Sequence, residues 1–414
     1  MSMIFKRRMP GHVGVAALAC AAIASDGYDL AIYGAAAPAL LHYSDWALTP
    51  SQVGAIASAT VLGMCFGAVT AGVLADRLGV RRMFMVSVTW FSLAMIACAF
   101  APSPTVLGVA RFIAGLGLGG VVPTAVTLTV SAAPHARRHF LNGVALSGLP
   151  VGGILATLSA LAFLDNWGWR GVFFLGGVIP LVTVLPVAAA RLGRWAPASP
   201  PAAPVNSDAR PQLVQLMSQG GWRLLAVFTL ITACCQIVAL GLLTWLPEIM
   251  RTSGYSLGSA LLFMLVYSFG GLAGASGGAW TADRVGPRRA AVSGLLITAA
   301  AILGLAAHPP LYALYVFLFV AGAGVGVQPV IYGFTATCFP SAQRAGAVGL
   351  VSGIGRIAGI SGPLIGGFLI GRPAFVSFAT FAAFAALGAV ITALFTPNQV
   401  SDPDAADTKV TAAA

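Results

Sequence analysis

Asp76-Arg77-Leu78-Gly79-Val80-Arg81-Arg82 is nearly repeated as Asp283-Arg284-Val285-Gly286-Pro287-Arg288-Arg289. The offset of 207 residues (283 minus 76) is half of the 414-residue chain. Each copy stands between two long apolar runs. A membrane protein made of two equivalent halves, each marked by the same charged loop, has a pseudo-two-fold axis. Substrate sites in such proteins lie where the halves meet. The duplication therefore points to transport.

Composition agrees. The chain is 58% hydrophobic and 8% charged, with mean hydropathy +0.91. A soluble domain carries about 25% charged residues, so lipid is the solvent here. An apolar run of about 20 residues can cross a bilayer. Twelve such runs are read at 13–40, 51–75, 83–101, 104–132, 139–163, 171–190, 222–247, 257–281, 290–307, 309–338, 343–371 and 373–396. The expected fold is all-α, with twelve transmembrane helices in two pseudo-symmetric six-helix halves. Residues 1–190 form the first half and 222–396 the second. Residues 191–221, with Pro197, Pro200, Pro201, Pro204 and Pro211, read as a cytoplasmic linker, and 397–414 as a disordered cytoplasmic tail. The 50 glycines let helices approach closely, and neighbouring helices satisfy the backbone groups that Pro frees.

The net charge of +11 suggests nucleic acid, but its placement argues otherwise. With a cytoplasmic N-terminus, the inside loops hold seventeen Lys and Arg residues, and the outside loops hold only Arg170, Arg251 and Arg372. This is the positive-inside bias of a multi-pass plasma (bacterial inner) membrane protein with both termini cytoplasmic. The first apolar run is too long for a signal peptide, and no small-residue cleavage site follows it. The six cysteines, Cys20, Cys65, Cys98, Cys234, Cys235 and Cys338, fall inside the spans and read as packing residues. No metal-ligand spacing, cofactor motif or catalytic constellation appears. His12, His42, His135, His139 and His308 scatter to helix ends, so an enzyme is not expected.

Two cations, Arg111 and Arg356, lie within spans, as do Asp26 and Asp29. An ionisable group in hydrocarbon costs at least about 2.5–3.5 kcal/mol, so it faces a cavity or a partner and marks a pathway. Asp26 and Asp29 are three residues apart and share a helix face. Two carboxylates this close resist both being ionised, which suits a group that loads a proton on one side and releases it on the other. Arg111 needs an anion or a carboxylate, and an Asp of the first helix could supply it. Arg356, in Gly353-Ile354-Gly355-Arg356, could grip a carboxylate at two points. Tyr267, Gln328 and Tyr332 combine polar tips with deep positions and are candidates to line a substrate site. Asp76, Arg77, Arg81, Asp283, Arg284 and Arg288 of the repeated loops are gating candidates.

Gly72-Val73-Leu74-Ala75-Asp76-Arg77-Leu78-Gly79 resembles the signature of the major facilitator superfamily, with Ala279 replacing the first Gly in the second copy. Five further segments resemble the aromatic acid:proton symporter family. They are Asp26-Gly27-Tyr28-Asp29, Arg111 to Gly120, Asn166-Trp167-Gly168-Trp169-Arg170 with Gly176-Gly177 and Pro180, Trp245-Leu246-Pro247, and Gly355-Arg356 running to Gly362-Pro363-Leu364-Ile365-Gly366-Gly367. The resemblance implies a monomeric, proton-coupled secondary transporter that imports a small aromatic monocarboxylate by alternating access. Asp26 and Asp29 would carry the proton, and Arg356 and Arg111 the carboxylate. Protons, the carboxylate and the bilayer are the implied partners. Alternatives are a proton-coupled exporter, an importer of a non-aromatic acid, and a transport-inactive sensor. One departure stands out: Val130-Ser131-Ala132-Ala133-Pro134 lacks the acid that the family carries before this Pro.

Overall fold

In the computed structural model, described for residues 11–134, 137–192, 221–307, 309–340 and 343–397, the chain is helical. The bulk of the linker and tail, together with His135 and His308, lie outside the described residues. The helices are α1 (Gly11–Leu41), α2 (Pro50–Leu78), α3 (Val80–Ala99), α4 (Pro104–Ala132), α5 (Arg138–Leu146), α6 (Gly148–Leu192), α7 (Gly221–Thr252), α8 (Leu257–Val285), α9 (Pro287–Ala306), α10 (Leu311–Val325), α11 (Gln328–Thr337), α12 (Arg344–Gly359), α13 (Ser361–Leu369) and α14 (Ala374–Phe395).

Eleven segments among the described residues are long and apolar enough to cross a membrane. One of them, Phe140–Ala190, has 51 residues. At about 1.5 Å per residue it is more than twice the ~30 Å hydrocarbon thickness. Its chain turns at Gly168, where φ is 63° and ψ −177°. That conformation is open essentially to glycine alone. The fifth and sixth expected spans therefore lie within this one continuous segment. Two other spans are broken. α10 stops at Gly326 and α11 restarts with Pro329 in its first turn. α12 yields to α13 at Ile360, and Pro363 has no N–H to return to the preceding turn. The seventh span runs to Thr252, five residues past its expected end, because Pro247 is absorbed within α7.

Contacts divide the chain into two compact units. One gathers the chain up to Ile32 with the stretch from Leu62 to the end of α6; the other gathers Tyr33–Val61 with α7 and everything beyond it. In the first unit, Gly63, Gly67 and Gly119 press α2 and α4 together. A methyl group at these positions would strike the carbonyl oxygens of Phe112, Leu116 and Met64. In the second unit, Gly270, Gly274 and Gly326 press α8 and α10 together, against the carbonyl oxygens of Phe319, Ala323 and Gly271. Every member of the second set stands 207 residues after its counterpart in the first. The duplication seen in the charged segment is thus repeated, contact by contact, in the helix packing. The helix junctions obey it too: Gly79 (φ 82°, ψ 143°) and Gly286 (φ 89°, ψ 151°) precede α3 and α9 with the same left-handed backbone.

The segment Tyr33–Val61 is bound into the second unit by backbone approaches and hydrogen bonds. Gly34 sits against the Leu243 carbonyl and Gly54 against that of Pro363. Ser58 Oγ donates to the Ile360 carbonyl at 2.7 Å, and Trp245 Nε1 donates to that of Pro363 at 2.8 Å. The break between α12 and α13 is where these side chains find acceptors.

Candidate functional site

In the first unit, Asp26 and Asp29 are fully buried on α1, and Arg111 of α4 is 1% exposed. Arg111 Nη1 forms an ion pair with Asp29 Oδ1. The same nitrogen lies 3.6 Å from Met95 Sδ, and the guanidinium faces the Phe173 ring at 5.5 Å. Of the partners open to Arg111, the structure selects Asp29. Glycines make the approach possible. Gly27 admits the Leu149 backbone of α6 against α1, and a Cβ at Gly117 would come within 2.7 Å of the Phe91 nitrogen on α3. Tyr28, between the two acids, points elsewhere and donates to the Val172 carbonyl at 3.1 Å. Asp29 Oδ2 accepts no hydrogen bond among the described residues.

The second unit holds the other predicted residues. Gln328 Nε2 donates to Tyr332 Oη at 2.9 Å, one turn apart on α11. Tyr332 lies within electrostatic reach of Arg356 on α12 and of Cys235 on α7, and it packs with Cys235 in one apolar cluster. Arg356 is half-buried and forms no ion pair or hydrogen bond among the described residues. Tyr267 on α8 is buried, and its hydroxyl has no hydrogen-bond partner among the described residues. No contact ties it to Arg356. The two intramembrane arginines thus differ: one is matched by a carboxylate and the other is not.

The repeated charged segments are not loops: they close α2 and α8 and open α3 and α9, with only Gly79 and Gly286 between the helices, and they behave differently from the buried charges. Asp76 and Asp283 are exposed, and neither forms an ion pair among the described residues. Arg77 is exposed and Arg81 half-buried. Arg284 stacks on Trp280 at 3.9 Å, and Arg288 donates to the Ala393 carbonyl near the end of α14.

One buried charge escaped the sequence reading. Glu248 is 2% exposed, and Arg251 holds it at two points, at 2.9 and 3.0 Å. Arg251 also donates to His42 Nε2 at 2.8 Å, while His42 Nδ1 lies 2.8 Å from the Pro38 carbonyl. The signal was the continuation of α7 past Pro247, which carries Glu248 and Arg251 on the helix rather than in a loop. Cys338 caps α11 instead of lying within it, and burial pushes its thiol up to about 11. It is a poor nucleophile at neutral pH.

Two repeated halves and eleven segments long and apolar enough to cross a membrane among the described residues are the build of a multi-pass membrane protein. The family model for the Major Facilitator Superfamily matches residues 19–281 and 262–412, and the chain belongs to that superfamily. The gentisate transporter of Corynebacterium glutamicum is 38% identical over 83% of this chain and 78% of its own length. The benzoate transport protein of Acinetobacter baylyi is 29% identical over 95% of this chain and 92% of its own. The 4-hydroxybenzoate transporter of the same organism is 30% identical over 92% and 90%. Among solved structures, a D-xylose–proton symporter superposes with TM-score 0.76 at 18% identity, covering 93% of this chain and 98% of the other. At that identity the likeness concerns the fold.

Proposed function

We propose that this chain is a proton-coupled secondary transporter that imports an aromatic monocarboxylate across the bacterial inner membrane, as a monomer with both termini cytoplasmic. The observation that carries the reading is the contrast between its two intramembrane arginines. Arg111 has its carboxylate in Asp29, while Arg356 has no anion among the described residues. An intramembrane guanidinium cannot shed its charge and calls for an anion. A substrate carboxylate supplies one, with two-point geometry. The names of the relatives, which are carriers of gentisate, benzoate and 4-hydroxybenzoate, support an aromatic acid.

Charge balance gives the coupling rule. With both acids ionised, the Asp26–Asp29–Arg111 group carries one net negative charge and Arg356 one positive. A proton on the Asp pair together with a carboxylate on Arg356 neutralises each group. A proton alone, or a carboxylate alone, leaves one group charged in a low-dielectric region, which is costly to carry through reorientation, and the empty carrier leaves both charged. The doubly loaded carrier is therefore the form with no uncompensated charge in either group, which favours carrying proton and acid together. The Asp29 carboxylate is the switch: once protonated, it releases its hold on Arg111. Asp76 and Asp283, on the repeated charged segments, bias the exchange between states rather than bind substrate.

The test is uptake of labelled aromatic acids into proteoliposomes with an imposed proton gradient. Accumulation should follow the gradient, with proton influx on adding the acid. Arg356→Lys should lose at least about tenfold in affinity, because an ammonium lacks the planar fork. The amide of the preferred acid should compete poorly. Equal competition by acid and amide would remove the case for a carboxylate.

A further inference from the structure

We propose that Gln236 is a specificity-determining residue: its carboxamide reads a ring hydroxyl on the acid whose carboxylate Arg356 holds. The proposal rests on the reading of Arg356 given above.

The internal repeat leads to the position. Gln236 stands 207 residues after Asp29, at the same offset as the charged segments and the glycine contacts. α1 approaches α6 through Gly148 and Gly152, and α7 approaches α12 through Gly355 and Gly359, again 207 residues on. Where one unit places a carboxylate that binds a guanidinium, the other places an uncharged amide on a side chain one methylene longer. Gln236 is 9% exposed at mid-helix, yet its carboxamide forms no hydrogen bond among the described residues. An amide has two donors and a two-lone-pair acceptor, and none of them is used among the described residues.

The neighbours say what kind of partner. A Cβ at Gly359 would sit 3.1 Å from Gln236 Cβ, so Gln236 packs on α12 one turn beyond Arg356. Three residues of helix separate the two positions by about 4.5 Å of rise. This suits two substituents on one aromatic ring. One turn earlier on α7, Thr232 packs against Gly355, and its hydroxyl is fully buried with no hydrogen-bond partner among the described residues. Tyr332, which packs with Cys235, has its hydroxyl oxygen accepting from Gln328 Nε2. Gln236, packed on α12 three residues from Arg356, is thus the amide there with both donors and its acceptor unused among the described residues. It carries no charge, so it would not bind a second carboxylate as Arg356 does. A phenolic hydroxyl, able both to donate and to accept, matches it.

The experiment compares KM for 4-hydroxybenzoate, 3-hydroxybenzoate and benzoate in proteoliposomes, for wild type, Gln236→Leu and Gln236→Met. Wild type should prefer at least one hydroxylated acid to benzoate. In both variants the ratio of the benzoate KM to that of the preferred hydroxylated acid should fall about tenfold, the value of one hydrogen bond. A structural role would weaken all three acids in proportion and leave the ratio at its wild-type value, which would overturn the proposal. A wild type without preference among them would overturn it equally. Gln236→Met keeps volume and flexibility, so a ratio lost in Gln236→Leu but retained in Gln236→Met would assign the effect to packing and refute it. Arg356→Gln separates the two readings: retained uptake in that variant refutes the carboxylate grip, whatever Gln236 does.

Discussion

Replacing Arg111 with Met should be among the most damaging single changes in the first unit, and a second substitution should partly repair it. Arg111 is 1% exposed, Asp29 is fully buried, and the two form an ion pair in contact with Met95 and Phe173. Removing one partner of a buried pair strands the other charge, at about 3–5 kcal/mol. Met preserves the apolar stem and its contacts, so little of this cost is cavity. By ordinary size scaling, such a loss lowers the unfolding midpoint on the order of 10 °C. Adding Asp29→Asn removes the stranded charge while keeping its shape. The double variant should recover at least half of the loss, giving a favourable interaction term of about 2 kcal/mol or more. The assay is thermal unfolding of purified protein in detergent, for wild type, both single variants and the double. Transport should stay absent in the double variant although its stability returns, because it has neither the switch nor the guanidinium. An Arg111→Met variant within about 1 kcal/mol of wild type, or strictly additive substitutions, would refute the idea that this pair is a tightly coupled buried unit.

Other outcomes follow from the same geometry. Asp29→Asn alone should abolish uphill accumulation while sparing exchange of labelled for unlabelled acid; a variant that still concentrates substrate would show that Asp29 is not the proton carrier. Asp76→Asn should reduce turnover more than affinity, read as a fall in kcat with KM nearly constant, since Asp76 is exposed in the last turn of α2 and forms no ion pair among the described residues. Gly119→Leu and Gly326→Leu should both lower folded yield severely, because each side chain would collide with backbone across a helix pair. Gly72→Ala, with nothing within 4 Å, should be tolerated. If the two Leu variants express like wild type, the paired close approaches are not what holds these helices together.

Much of this architecture was readable from residues alone, and the reasons differ by feature. The repeated charged segment and the bilayer-length runs gave the helix set because lipid imposes length and backbone satisfaction on every span. The glycine pattern was on the page as well, as Gly63-x-x-x-Gly67 and Gly270-x-x-x-Gly274, but among 50 glycines no single spacing is diagnostic. It acquires meaning once the partner carbonyls are known. The census of ionisable residues in the spans found Asp26, Asp29 and Arg111, all buried, because such residues are costly in hydrocarbon. Their pairing was not legible: whether Arg111 met an Asp or an anion depended on which helices touch, a fact of three dimensions. Glu248 was missed for another reason. Hydropathy placed the end of the seventh span at Pro247, whereas α7 accommodates that proline and buries the acid beyond it.

The internal repeat gives the two units one scaffold on which different buried groups stand. Duplication supplies two scaffolds with the same helix approaches, as the paired glycine contacts show. Divergence then decides what each holds. At the position shared by Asp29 and Gln236, a carboxylate suits a titrating switch and an amide suits neutral recognition. Arg111 and Arg356 break the symmetry, for Leu318 and Leu149 occupy the equivalent sites 207 residues away. Arg111 and Arg356 therefore stand on different helices of the repeat, one paired with a carboxylate and the other with none among the described residues. A carrier with two satisfied arginines would have no charge left for an acid, and one with two unsatisfied arginines would have no proton-sensitive partner for either. On the reading proposed above, this asymmetry leaves one arginine for the acid and gives the other a proton-sensitive partner.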